Sequence, residues 1–306
     1  MTKRNKALAA VITCVLFWGF SFISIKIAVE FFPPMTLGAL RFAIALIFLF
    51  FFKKKIAPDE KIQKMDVPLL AGAGLSGVTL YFFFEKNGVS MIPASEASII
   101  TAAIPILILI VEGLINFRPN NGEKNGRSVK LLLPALGALI SLSGVALVAG
   151  VSFALSGTAL GYAYMAGACV SWVCYSFLTR PLFSRRSRIY IVFWQSAIGF
   201  IGFLPFAFLE TQSNWHSLIA GLPGLYVWGH VIFLGICCSA IGYWLYTLAL
   251  RDLGVGTASM FINFIPVVSA IGGFFILGER LQPLQWLGGA LVLGGVYLAM
   301  VPQKTL

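Results

Sequence analysis

Ten blocks of apolar sequence, most of them about 18 to 25 residues long, decide the solvent of this chain. A hydrocarbon core about 30 Å thick needs about 20 helical residues to cross it. Residues of the AVILMFWYC set fill 59% of the 306 positions, and 11% are charged. A soluble domain does not carry this many unbroken apolar runs. Lipid offers no hydrogen-bond partners, so each run must satisfy its own backbone as a helix. The expectation is an all-α integral membrane protein with spans at 7–29, 35–52, 67–88, 93–115, 131–150, 159–178, 189–210, 224–250, 254–278 and 283–301. These spans leave no room for a separate soluble domain.

The net charge of +11 invites a nucleic-acid reading. Position argues against it, because the basic residues sit at the edges of apolar blocks, where topogenic charges belong. With the N-terminus inside, the cytoplasmic segments hold Lys3, Arg4 and Lys6; Lys53 to Lys55, Lys61 and Lys64; Arg118, Lys124, Arg127 and Lys130; Arg180, Arg185, Arg186 and Arg188; Arg251; and Lys304. The outer segments hold Lys86 and Arg280, while Lys26 and Arg41 fall within spans. This bias places both termini in the cytoplasm of a bacterial cell, with the chain multi-pass in the cytoplasmic membrane. Lys3-Arg4-Asn5-Lys6 and the apolar run behind it look like a signal peptide, but the run is too long and has no A-x-A-like cleavage site. It is read as a retained first span.

Cys14, Cys169, Cys174, Cys237 and Cys238 all lie in apolar segments without histidine partners at zinc-like spacing. They read as small packing residues, with no metal and no cofactor implied.

The chain lies on itself in halves. Trp18 matches Trp172 at an offset of 154, and Ala97-Ser98 and Pro105 match Ala258-Ser259 and Pro266 at 161. Gly137, Gly144 and Val145 match Gly288, Gly295 and Val296 at 151. The offset grows across a longer connection near 211–223 and shrinks across the longer loop 116–130. The halves, 1–153 and 154–306, hold five spans each. An odd number of crossings turns the second copy upside-down relative to the first. Inverted repeats with a shared midplane site are a signature of secondary transporters.

Three stretches of the second half, Gly256–Pro266, Leu277-Gly-Glu-Arg-Leu281 and Gln285–Val296, resemble the second-repeat signature of EamA-type transporters of the drug/metabolite transporter superfamily. Phe17-Trp-Gly-Phe-Ser-Phe22, Leu40-Arg-Phe42 and Ala94-Ser-Glu-Ala-Ser98 with Pro105 resemble its first repeat. The resemblance covers essentially the whole chain. It implies a ten-helix bundle of two inverted five-helix repeats that moves small metabolites by alternating access, with many bacterial members exporting amino acids. One departure stands out: Glu279 corresponds to Arg118, where relatives often repeat a Glu, so a symmetric acidic role is not expected here.

Several residues are candidates for the work. Pro105 and Pro266 fall inside spans four and nine, where each removes a backbone hydrogen bond and is expected to kink its helix as a hinge or site wall. Arg41 lies about two turns into span two. A buried cation costs about 2.5 kcal/mol or more, so it faces a cavity and takes a substrate carboxylate, snorkels outward, or pairs with Glu30 or Glu96. Gln195 stands at its matching place. Glu96 either serves the helix dipole or couples protons. Glu85 is expected at the interface beside Lys86, and Glu112 at the cytoplasmic end of span four near Arg118. Trp18 and Trp172 are the paired aromatic candidates, with Tyr175 and Tyr243 (and, more weakly, Tyr246) beside them. Ser21, Ser98, Ser259 and Asn263 are polar groups in the same helices. The glycines of spans five and ten read as packing surfaces, and none forms G-x-x-x-G, so a monomer is the expectation.

The leading expectation is a secondary transporter for a small molecule, exporting an amino acid or related compound. The alternatives are a flippase or carrier for a lipid-linked or nucleotide-type substrate, a channel, and an uptake carrier. No Walker-type loop, H-E-x-x-H or G-x-S-x-G occurs, which argues against ATP drive and against an enzyme.

Overall fold

Backbone groups that cannot reach water close their hydrogen bonds within their own segment, and that rule shapes this chain. The computed structural model describes residues 2–92, 97, 100–116, 124–149, 158–220, 224–277 and 282–300. Among them the secondary structure is helical throughout. In chain order the helical runs are α1 (Lys3–Ala28), α2 (Pro34–Ile56), α3 (Val67–Val89), α4 (Ile104–Asn116), α5 (Lys124–Ala149), α6 (Ala159–Thr179), α7 (Arg188–Ala220) and α8 (Leu225–Asp252). Next comes α9, which runs as Val255–Met260, a 3-10 turn Phe261–Asn263 and Phe264–Leu277; α10 is Pro283–Met300. Six described runs are long and apolar enough to cross a bilayer: α1, α2, α3, Arg188–Gln212, α8 and Val255–Phe275. Ile100–Ile115, Leu133–Ala149 and Pro283–Ala299 are shorter apolar helices.

The helices outrun several of the expected spans. α5 starts at Lys124 within the stretch expected as a loop, and α7 continues to Ala220 through the stretch expected as a connection. Hydropathy reports where lipid ends, whereas a helix stops at a breaker, and no Gly or Pro occurs between Pro205 and Gly221. Thr2 and Thr158 cap α1 and α6 by accepting the backbone N–H of Asn5 and Gly161.

The most extensive packing joins α5 to α10, and glycine makes it possible. A Cβ at Gly144 would lie 2.6 Å from the Gly288 carbonyl oxygen, and one at Gly288 would lie 2.6 Å from that of Gly144. Gly295 stands in the same relation to Gly137, 2.5 Å from its carbonyl. The two backbones touch directly, as small residues allow in lipid.

Two polar clasps tie distant segments together. At the end of the bundle near the N-terminus, Arg186 Nε donates to Asp66 Oδ2 (2.6 Å) and Tyr190 Oη donates to the same oxygen (3.2 Å). Asp66 is fully buried, and the Arg186 guanidinium covers the Tyr190 ring. Glu60 accepts from the backbone and hydroxyl of Ser187 beside them. At the far end, Glu210 accepts the N–H groups of Met35 and Thr36 at the start of α2 and pairs with Lys86. A carboxylate there answers the positive end of the helix dipole.

Gly144→Ala is expected to force the α5–α10 backbones apart and to destabilise the purified protein by about 1–3 kcal/mol, as overpacking does. Gly294→Ala, where nothing lies within 4 Å of the added carbon, is the matched control and should leave the melting temperature unchanged or slightly higher. Detergent-solubilised thermal unfolding measures both.

Candidate functional site

Two helices depart from α geometry near their middles. Leu75–Leu80 in α3 and Leu234–Ile241 in α8 are π-helical. A π turn widens the helix and shifts its carbonyls out of register, and such turns often mark functional sites. Side chains answer these carbonyls. Trp18 Nε1 donates to the Cys238 carbonyl at 3.0 Å, and Tyr243 Oη donates to the Gly77 carbonyl at 2.9 Å. Arg41 Nε donates to Ser239 Oγ at 2.8 Å, within the second π segment.

The three donors, Trp18, Tyr243 and Arg41, also line a cavity of about 480 Å³. Its wall takes Trp18, Ser21 and Phe22 from α1, Arg41 from α2, Tyr81, Phe82 and Glu85 from α3, and Trp172 from α6. Tyr243 of α8 and Asn263, Pro266 and Ser269 of α9 complete the opposite side. Thr101 and Met165 also contribute. The Trp18 and Trp172 rings meet edge-on, with centroids 5.5 Å apart, and Tyr243 and Tyr246 pack on both. This aromatic layer forms one end of the cavity. The lining then continues along Ile25, Val89 and Ala270 toward the end of the bundle remote from the N-terminus.

Arg41 is 5% exposed, so it does not snorkel to the interface. Its guanidinium carbon stands 5.0 Å from the centroid of the Phe82 ring and 5.7 Å from that of Phe42. Among the described residues no carboxylate forms an ion pair with it, and Glu30 is exposed at the end of α1. Lys26, by contrast, is exposed, as a snorkelling lysine is. Glu85 is not at the interface facing Lys86. It lines the cavity and accepts a hydrogen bond from Tyr81 Oη at 3.0 Å, while Lys86 turns away to Glu210. Consecutive residues on a helix point about 100° apart, which separates the two.

The structure brings Trp18, Ser21, Arg41, Trp172, Tyr243, Asn263 and Pro266 to one cavity and leaves other candidates out. Tyr175 is fully buried behind Trp172 and Tyr243, and packs there instead of lining the space. Gln195 is buried on α7, donating to Thr179 Oγ1 at 2.9 Å, so the residue matching Arg41 looks into packing. Ser259 bonds the Gly256 carbonyl of its own helix. Neither proline kinks a helix from its interior. The break falls just before each, at a turn on Ala103 and at the 3-10 turn Phe261–Asn263. Pro105 and Pro266 then stand in the first turn of the resumed helix, where a missing N–H costs nothing. Glu96, Ser98 and Arg118 lie outside the described residues. Glu112 rests against Gly256 near the end of α4.

The sequence profile of the EamA-like transporter family matches residues 5–125 and 159–301. The chain belongs to this family. A protein described as an uncharacterized transporter from Archaeoglobus fulgidus is 29% identical to it, over 94% of this chain and 95% of the relative. A probable terminal-alkyne amino-acid exporter of Streptantibioticus cattleyicolor is 25% identical over 97% and 94%. A probable amino-acid metabolite efflux pump of Escherichia coli is 24% identical over 97% and 95%. A solved crystal structure 21% identical in sequence shares the fold with a TM-score of 0.73, covering 97% of both chains.

Trp18 and Trp172 are the two tryptophans in the described cavity wall. A ligand that enters should therefore change tryptophan emission. The double substitution Trp18→Phe and Trp172→Phe is expected to remove most of that change, whereas Trp286→Phe, at an exposed position on α10, should preserve it. Fluorescence titration of the purified protein reads the difference.

Proposed function

We propose that this protein is a secondary transporter that exports an amino acid or related small metabolite across the bacterial cytoplasmic membrane by alternating access. Ten helices cross the bilayer as two inverted five-helix repeats, with both termini in the cytoplasm. The cavity is the substrate site. One observation carries this reading: a membrane-buried arginine without an ionic partner among the described residues, set in the wall of an aromatic cavity, within a chain of a transporter family. A charge at this depth is retained where it faces water or a ligand.

Internal correspondence supports the inverted repeats. Gly137 and Gly144 of α5 pack on Gly295 and Gly288 of α10, in reciprocal pairing. Such pairing is what a local two-fold axis produces. The π segments fall in the third helix of each half, and the helix breaks before Pro105 and Pro266 fall in the fourth. Trp18 and Trp172 meet near the same axis. The cavity leans toward the end remote from the N-terminus, and the Asp66–Arg186–Tyr190 clasp ties the other end. With the N-terminus inside, this is an outward-facing state. The volume of about 480 Å³ falls in the range of small-molecule pockets and favours a solute of metabolite size over a lipid-linked one.

Reconstitution into liposomes tests the proposal. Saturable movement of an amino acid is expected, and Arg41→Ala should lower its rate at least tenfold while membrane yield and gel-filtration profile stay unchanged. A wild-type rate in Arg41→Ala would remove Arg41 from the site.

A further inference from the structure

Arg41 and Glu85 are the two charged residues in the described lining of the cavity, and they carry opposite signs. They come from neighbouring helices, α2 and α3, and line the same cavity. Even so, they form no ion pair. Each is steadied by a neighbour that uses part of its hydrogen-bonding capacity. Arg41 gives Nε to Ser239, and its terminal N–H groups have no such bond among the described residues. Glu85 takes the Tyr81 hydroxyl on Oε1 and keeps Oε2. Lys86, the nearest other cation in sequence, is engaged by Glu210 outside the cavity.

Opposite charges sharing a chamber of low dielectric attract strongly, and direct contact would be their simplest arrangement. Holding them apart leaves an anion-seeking pole and a cation-seeking pole in the same space. A simple acid would satisfy Arg41 and leave Glu85 without a partner. A simple amine would do the reverse. A zwitterion satisfies both poles and brings no net charge into the membrane. Trp18, Trp172, Phe22 and Phe82 supply apolar surface around the poles, and no third charge is present in the described lining to meet an ionised side chain.

Resting on the carrier reading above, we propose that Arg41 and Glu85 form a dipolar site that takes the α-carboxylate and the α-ammonium of an unmodified amino acid with an apolar side chain. Glu85 thus sets specificity, because it distinguishes the free amino acid from its deaminated acid. A site built to bond a polar group rejects an analogue lacking it far more strongly than an apolar pocket rejects a missing methylene.

Isothermal calorimetry on the purified full chain tests this with three ligand sets: leucine, phenylalanine and methionine; the amines that lack their carboxylates; and the acids that lack their amino groups. In the wild type at least one amino acid should bind about tenfold or more tighter than both of its own analogues. Glu85→Gln should bring that amino acid down to the affinity of its deaminated acid, leaving the acid within about twofold of its wild-type affinity, which also shows that the variant is folded. Arg41→Gln should do the mirror-image with the amine. Equal wild-type affinity for the amino acid and the acid overturns the proposal whether or not either variant folds. So does uniform weakening of all three ligands in Glu85→Gln. Binding and transport of some other solute, with no amino acid bound, overturns the dipolar site and leaves the carrier standing. Failure of every solute to move in liposomes overturns the carrier reading itself.

Discussion

Hydrocarbon accepts no hydrogen bonds, so every departure from α geometry in this chain has to be answered by another part of the protein or by a water-filled space. The departures are few and they converge. The 3-10 break of α9 borders the cavity through Ile262 and Asn263, and the π segments of α3 and α8 are bonded by side chains that line it. Trp18 and Tyr243 bond the displaced carbonyls, and Arg41 bonds Ser239 in the second π segment. The cavity therefore lies beside the places where backbone regularity is given up. The helix pair α5–α10, packed backbone to backbone through glycine, keeps its regularity and serves as scaffold.

The same constraint explains how polar groups are distributed. Away from the cavity, several buried hydroxyls return to carbonyls of their own helices, as at Ser176, Thr179 and Ser259. Charged groups at the ends of the bundle pair off in the Asp66–Arg186 and Glu210–Lys86 clasps. Arg41 and Glu85 do neither. Two clasps thus stand at opposite ends of the bundle, with unpaired charge between them.

Much of the architecture was legible in the sequence. Apolar block length marked the helices, and the matched Trp18 and Trp172 turn out to be two rings that touch. Arg41 stood out because a cation inside an apolar run demands an explanation. Other features were hidden for physical reasons. Sequence gives the depth of a residue in a span but not its direction. Glu85 therefore reads as interfacial from its place near the end of α3, and Gln195 reads as a site residue from its match to Arg41. Tyr175 and Ser259 share helices with lining residues yet face the packing. The π segments carry no Pro or other signature that distinguishes Leu75–Leu80 from an ordinary apolar turn. The two prolines pointed to the right helices, but each break lies a few residues upstream of its proline.

The proposed carrier cycle alternates which end of the cavity is open. Spin labels report this directly when placed at Val29 and Ser90 on the end remote from the N-terminus, and at Ser184 and Arg251 on the near end, in a background with the native cysteines replaced. All four positions are exposed. Pulsed dipolar distance measurements in liposomes, with and without a transported solute, should show the Val29–Ser90 separation shortening as the Ser184–Arg251 separation lengthens. Both distances changing in the same sense, or neither changing while solute crosses, would contradict alternating access.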